Sequence, residues 1–99
     1  MSNKERHEEW RKWLSEEAPK FYTKFQLESA KKISIPKVFT DVPSAMKDSD
    51  ENLCLTWRYL EWTLSIEVNP QGISEWWLGN TESREYFEDE NEIKNLFDF

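Results

Sequence analysis

The fold of this chain is decided by residues 53–78, LCLTWRYLEWTLSIEVNPQGISEWWL. Apolar and polar side chains alternate along 53–59, in a first predicted strand at 53–60, and again, more regularly, along 62–68. Because successive side chains of a strand point to opposite faces, this alternation predicts strands that each bury one face. The residues predicted to face the helices of the fold are Trp62, Leu64, Ile66 and Val68.

The four residues at 69–72, Asn-Pro-Gln-Gly, predict a turn after the second strand. Asparagine suits the first position of a β-turn, proline presets φ at the second, and Gly72 tolerates a positive φ at the fourth. Residues 73–78 resume the sheet, and 79–80 is expected to end this third strand. A fourth strand is predicted at 83–87, so the sheet is an antiparallel meander of three to four strands.

The N-terminal part of the chain predicts a helix. Ser2 and Glu5 have the spacing of a capping box, and 10–14 places Trp, Trp and Leu at i, i+3 and i+4. Pro19 disfavours the helical conformation in the residue before it, so the helix is expected to end near Ala18.

Residues 19–33 fit two patterns. Their aromatic and polar side chains alternate as in a strand, yet the apolar ones also fall on one helical arc that ends in lysines. We predict a helix here. Residues 35–39 are expected to be extended, because Pro36 pushes its predecessor out of the helical region, and 41–52 is expected to be a loop.

A short final helix is predicted after Asp89, which acts as its N-cap. Ile93, Leu96 and Phe97 follow at i, i+3 and i+4. The fold class is therefore α+β, with N-terminal helices, an antiparallel meander and a C-terminal helix in a two-layer sandwich. The chain of 99 residues has no linker or repeat, so we predict a single domain, 1–99.

The layout of three segments resembles a loose group of small uncharacterised bacterial α+β proteins. These are Ile-Pro-Lys-Val-Phe at 35–39, Leu-x-Leu-x-Trp at 53–57 and Leu-x-Ile-Glu-Val-x-Pro-x-Gly at 64–72. The resemblance covers roughly 19–78 and implies the hairpin and a helix before Pro36, but no function. The Asp-Gly turn usual in that group is replaced here by Asp-Glu-Asn.

Charge is distributed unevenly along the chain. Residues 1–47 hold ten Lys/Arg against seven Asp/Glu, a balance of +3, whereas 48–99 hold three against thirteen, a balance of −10. An acidic half repels phosphate backbones and membrane surfaces and attracts basic protein patches. We expect a protein partner with a basic surface, and neither nucleic acid nor membrane. The alternative is that the acidic residues only keep an aromatic-rich domain in solution.

Catalytic chemistry has few candidates in this sequence. Cys54 and His7 are the only cysteine and the only histidine, so no intrachain disulfide and no cysteine-based zinc site can form. A calcium loop beginning at residue 48 would need Gly and Glu where Leu53 and Tyr59 stand. Two glycines are too few for a phosphate-binding loop. We predict a non-enzymatic protein without a cofactor or metal.

The N-terminus is charged from its first residues, and no apolar run approaches the roughly 20 residues of a membrane span. The expected location is the cytoplasm.

Binding is indicated by aromatic residues beside an acidic stretch. Trp76 and Trp77 are consecutive on a predicted strand, so at least one ring should be partly exposed unless helices cover both faces. The predicted partner-binding residues are Trp76, Trp77, Glu82, Glu85, Tyr86, Glu88, Asp89 and Glu90. The later acidic residues can instead be favourable charges at a helix N-terminus. A weaker basic face comprises Lys20, Lys24, Lys31, Lys32 and Lys37.

These features predict a small acidic inhibitor that occludes a basic surface on a partner, as immunity proteins, antitoxins and phage anti-defence proteins of the anti-CRISPR type do. One alternative is a structural or assembly subunit, a homodimer whose acidic and basic halves pair between copies. The other is a small-molecule or glycan binder that uses Trp76 or Trp77 as a stacking platform.

Overall fold

The computed structural model describes residues 3–97 and confirms the α+β class. The predicted capping box at Ser2 lies outside this range. The elements in chain order are α1 (Asn3–Glu16), a 3₁₀ turn (Ala18–Lys20), α2 (Lys24–Lys32), β1 (Ser44–Lys47), β2 (Leu53–Tyr59), β3 (Trp62–Val68), β4 (Ser74–Asn80), β5 (Tyr86–Phe87) and α3 (Glu90–Leu96).

The five strands form one antiparallel sheet in the order β1-β2-β3-β4-β5. Register places Leu64 opposite both Trp57 of β2 and Leu78 of β4. Ile66 is likewise opposite Leu55 and Trp76. These side chains are all buried, so one face of the sheet is the floor of the main core.

The helices pack on that same face. Ile93 of α3 is fully buried in the main core, and Trp10 of α1 and Ala30 of α2 pack against it. A second cluster joins α1 to α2 through Leu14 and Leu27. The residues of β2–β4 that alternate with the buried ones point to the other side of the sheet, and all of them except Gly79 are exposed or half-buried. We call this second side the open face of the sheet.

Gln26 ties α2 to the sheet. Its side chain, only 1% exposed, accepts a hydrogen bond from the Thr23 N–H and donates to the carbonyls of Val68 (3.0 Å) and Glu51 (2.8 Å). The Thr23 hydroxyl in turn caps the Gln26 N–H, which completes a capping box at the start of α2. A buried amide with all these partners satisfied fixes the helix to one position on the sheet.

The turn at 69–72 is confirmed. The Gly72 N–H donates to the Asn69 carbonyl at 2.8 Å, and Gly72 has φ of +88°. A β-carbon at Gly72 would lie 2.8 Å from the Phe25 carbonyl oxygen, so glycine is required here both for its conformation and for the close approach of α2.

Several predicted boundaries are wrong. The expected loop at 41–52 contains β1, whose pairing with β2 supplies hydrogen bonds that its polar sequence does not reveal, so the sheet has five strands rather than three to four. Strand β4 continues through 79–80, because Gly79 pairs with residues on both sides.

The predicted strand at 83–87 is only Tyr86–Phe87. The expected helix at 19–33 starts at Lys24, after the 3₁₀ turn that holds Pro19.

Residues 35–39, expected to be extended, contain a turn instead, in which the Phe39 N–H donates to the Pro36 carbonyl at 3.1 Å. This turn directs Phe39 into the core, where it is 4% exposed.

None of the helices between residues 3 and 97 has the length and apolar character that a membrane crossing requires.

Candidate protein-binding surface on the sheet

The two consecutive tryptophans of β4 point to opposite faces, as predicted. Trp76 lies in the main core and is 6% exposed, with Lys94 Nζ 5.2 Å from its ring centroid. Trp77 lies on the open face and is 41% exposed. The site prediction is therefore corrected for Trp76, because a side chain packed against Ile66 and Ile93 cannot anchor a partner or stack on a ligand.

Trp77 folds back along its strand over Gly79. Residues i and i+2 share a face, and a β-carbon at Gly79 would lie 2.7 Å from Trp77 Cζ2, so only glycine leaves room for the ring. Tyr86 of β5 pairs with Gly79 from the other side and is 63% exposed. A groove of about 150 Å³ runs between the two rings, with Thr63 and Glu85 among its lining residues.

Carboxylates border the open face. Glu67 and Glu75 are direct cross-strand partners, and both are exposed. Together with Asn52 and Asn69 they line a concavity of about 190 Å³. The Asn52 amide donates to Glu67 Oε1 at 2.7 Å. This hydrogen bond is neutral, so it does not neutralise the charge of either glutamate. Between residues 3 and 97, no ion pair involves either carboxylate.

The predicted acidic cluster is divided between two places. Glu82 and Glu85 lie on the β4–β5 connection, and Glu85 lines the groove. Asp89 caps α3 by accepting the Glu92 N–H at 3.0 Å, and Glu90 pairs with Lys94 at 2.8 Å. The predicted Glu88 is exposed between β5 and this cap. Asp89 and Glu90 thus make their contacts within α3. Glu82 and Glu85 lie on the β4–β5 connection, where a partner could contact them.

The cations of this region are two arginines. Arg58 lies on the open face near one end of β2, and Arg84 lines the groove. The open face and the β4–β5 connection carry four exposed carboxylates against these two exposed arginines. Those carboxylates are Glu67, Glu75, Glu82 and Glu85.

Cys54 is half-buried on the open face, beside two acidic residues. Burial, followed by the charges of Asp48 and Glu67, raises the pKa of the thiol to about 11. The ligand atoms of the three side chains lie within 4.8 Å of one another. Asp48 already accepts hydrogen bonds from the Asp50 and Asn52 N–H groups and from the Asn52 amide, which hold its pKa below the usual value. The thiol is therefore protonated at neutral pH, and Cys54 is not an activated nucleophile.

His7 and Cys54 are not brought together. His7 lies on α1, with Nε2 2.8 Å from the Thr40 carbonyl oxygen, and it faces a cavity on the core side of the sheet. Cys54 faces the other side. No nucleophile–base pair forms between them, so the geometry offers no hydrolytic site of the cysteine–histidine kind.

Among residues 3–97, seven large apolar side chains are exposed but had no place in the predicted site: Phe21, Phe25, Met46, Tyr59, Leu60, Ile73 and Leu96. Leu60, at the tip of the β2–β3 hairpin, is 78% exposed, and Met46 on β1 is 65% exposed. Phe21 and Phe25 are exposed beside the lysines of α2. Only Leu60 could have been identified from the sequence, because it interrupts the alternation of apolar and polar residues between the first two predicted strands.

Comparison of the chain with family models, with curated proteins and with solved structures found no match. The interpretation of the surface therefore depends on its own residues. The resemblance to small bacterial α+β proteins stays a prediction.

Proposed function

We propose that this protein is a small acidic inhibitor that docks the open face of its sheet on a basic surface of a partner protein and occludes it. The observation that carries the proposal is the aromatic groove of Trp77 and Tyr86. It lies on a face that also exposes the paired carboxylates of Glu67 and Glu75. Immunity proteins, antitoxins and anti-CRISPR proteins act by occlusion of this kind, which requires a complementary surface and no catalytic group. We place the protein in the cytoplasm.

The paired carboxylates of Glu67 and Glu75 support a basic partner. Like charges directly opposite each other on neighbouring strands destabilise a sheet by a few tenths to about 1 kcal/mol. In the free protein, Glu75 has no cation beside it to offset that repulsion. A lysine or arginine of a partner that enters the concavity would remove the repulsion, so the feature costs stability in the free state and adds affinity in the complex.

The aromatic rings supply the anchor. Trp and Tyr are enriched among the residues that dominate binding energy, because they bury a large area with few rotatable bonds. The Trp77 ring packs over Gly79 in the free protein, so less side-chain entropy should be lost when a partner covers it than for a ring extended into solvent. We assign the strongest contact to Trp77 and the orienting contacts to Tyr86, Glu82 and Glu85.

The open face is poorly suited to self-pairing. A two-fold axis through it would bring the Glu67–Glu75 pairs of both copies to the same interface. The lysines of α2 lie on the other side of the sheet from the open face, so contact between these two surfaces of different copies would be head-to-tail and would lead to rings or filaments and not to a two-fold dimer.

The test is binding kinetics against a partner captured from the native host. The triple variant Glu75→Lys, Glu82→Lys, Glu85→Lys should associate at least about tenfold more slowly at low salt and lose most of its salt dependence. The matched control is Glu8→Lys, Glu9→Lys, Glu28→Lys, which makes the same change in net charge with exposed residues of α1 and α2. The control should associate almost as fast as the parent.

The anchor has its own signature. Trp77→Ala should raise the dissociation rate by about thirtyfold, corresponding to about 2 kcal/mol, and leave the association rate nearly unchanged. If the two triple variants slow association equally, net charge alone is responsible and the open face is not the interface. If neither changes it, Phe21, Phe25 and the lysines of α2 become the surface to examine.

A further inference from the structure

A cavity of about 550 Å³ opens on the side of the molecule away from the open face, between α1, the end of α2 and the core face of the sheet. Its floor is apolar, because Leu14, Leu55 and Trp57 are 3%, 1% and 7% exposed. Trp10 and Ile33 form part of its walls. The cavity is therefore large enough to hold a small organic molecule against a surface that excludes water.

Two of the five polar side chains that line the cavity are cations; the others are His7, Ser15 and Asp41. Arg11 and Lys31 line it and are exposed, so they lie at its opening, and between residues 3 and 97 neither forms an ion pair. The lining also contains the carboxylate of Asp41, which is already paired with Arg6 and accepts the Val42 N–H. His7 Nε2 lies against the Thr40 carbonyl oxygen. Two cations thus remain for a ligand, and the one carboxylate is neutralised.

We propose that this cavity binds a small organic carboxylate with a flat or chain-like apolar body. The apolar part lies against Trp10, Leu14 and Trp57, and the carboxylate lies at the opening between Arg11 and Lys31. The volume favours a small molecule over a protein element: a helix of about 10 Å diameter would fill it in little more than one turn. The two unpaired cations decide the ligand class. The chain has a net charge of −7, which disfavours anions over most of its surface, so an anionic group would bind beside these cations.

The experiment measures binding of two probes of one shape to the full chain: 2-naphthoate and its uncharged counterpart, 2-naphthalenemethanol. Titration followed by the indole N–H resonances in two-dimensional NMR reports on Trp10 and Trp57 directly. We expect 2-naphthoate to bind more tightly than the alcohol and to shift these two signals ahead of that of Trp77, which lies on the open face.

Charge variants test the opening. Arg11→Gln with Lys31→Gln should weaken 2-naphthoate binding several-fold, and by about twenty-five-fold at most, since each exposed pair contributes up to about fivefold. The alcohol should bind this variant as it binds the parent. The matched control is Lys12→Gln with Lys32→Gln, the neighbouring residues that do not line the cavity, and it should leave both affinities unchanged.

Filling variants test the cavity itself. Ala30→Phe should reduce the affinity for both probes by at least about tenfold, and Ser15→Trp, which fills the opening from an exposed position, covers the case in which the first variant fails to fold. The proposal is overturned if 2-naphthoate does not bind at millimolar concentration, if it binds the Arg11–Lys31 variant as tightly as the parent, or if folded filling variants bind it normally. None of these outcomes bears on the open face.

Discussion

The thiol of Cys54 shows how strongly a single environment controls reactivity in this protein. Its Sγ lies 3.8 Å from Asp48 Oδ2, and the half-buried position disfavours the charged thiolate even before the carboxylates act. With a pKa of about 11, almost all of the thiol is protonated at neutral pH.

We predict slow alkylation of Cys54. At about pH 8, reaction with iodoacetamide should be at least about tenfold slower than that of an unstructured cysteine, because the loss of thiolate outweighs its greater nucleophilicity. Glu67→Gln removes one of the charges that raise the pKa and should speed the reaction. Glu75→Gln, which removes the carboxylate opposite Glu67, is the control and should have less effect. Equal rates in parent and Glu67→Gln would show that the charge of Glu67 does not protect the thiol.

The choice between Trp76 and Trp77 marks the limit of sequence reasoning at this scale. Alternation requires the two rings to diverge, and that part of the prediction is confirmed. Which ring enters the core depends on the register of β4 against β3, where Trp76 stands opposite Ile66. Register depends on the length of the whole loop at 69–73, which separates the paired residues Val68 and Ser74, and the predicted turn at 69–72 does not by itself give that length.

Among the elements, the β2–β3 hairpin combines strain with exposure. It turns through two residues, since Tyr59 pairs with Trp62, and Leu60 at its tip has φ of +52°. A left-handed conformation costs an ordinary side chain about 1 kcal/mol or more, whereas glycine adopts it freely. Leu60 buries little surface that would offset this strain.

We predict that Leu60→Gly stabilises the free protein by a few tenths to about 1 kcal/mol, measured as the free energy of unfolding in urea. The relief of left-handed strain exceeds the cost of the freedom that glycine adds to the unfolded chain. The matched control is Glu61→Gly at the second turn position, where φ is not positive. That substitution should destabilise by about 0.5–1 kcal/mol, because it only adds freedom to the unfolded chain. Equal losses in both variants would mean that the tip stores no strain.

The elements differ in how far the sequence predicts them. Strand β3 was predicted with its observed bounds, because seven residues of strict alternation leave no other period. Strand β1 was missed, since only Ala45 of its four residues is even half-buried and an edge strand of this kind carries no alternating signal. The cavity beside α1 was also beyond prediction, because it depends on how two helices sit on the sheet and not on the pattern of either one.

At the scale of the molecule, one hydrogen-bonded carboxylate joins segments far apart in the sequence, and another organises the connection between β1 and β2. Asp41 links the segment before β1 to Arg6 of α1, 35 residues away, and that hydrogen bond is the main cause of its lowered pKa. The pKa of Asp48 is lowered chiefly by its hydrogen bonds from the backbone and side chain of Asn52. Both carboxylates are more acidic in the folded than in the unfolded chain.

We therefore predict a loss of stability in acid. A depressed folded pKa contributes stability that is present above the unfolded value, 3.8 for both residues, and that is lost as pH falls through the lower folded values. Urea midpoints should fall as pH drops below about 4. Asp41→Asn and Asp48→Asn should each flatten this dependence, whereas Asp50→Asn, at an exposed neighbouring position, should not. A parallel fall in all three variants would assign the effect to general charge repulsion.

Strand order that follows chain order has a consequence for how the molecule folds. Every strand pairs only with its neighbour along the chain, so the meander can form one hairpin at a time with short loop closures. The Gln26–Val68 hydrogen bond, by contrast, joins residues 42 apart. We expect the meander to be largely formed in the folding transition state and α2 to dock after it. Gln26→Ala should then accelerate unfolding in stopped-flow experiments and leave the refolding rate almost unchanged, the signature of a contact made late.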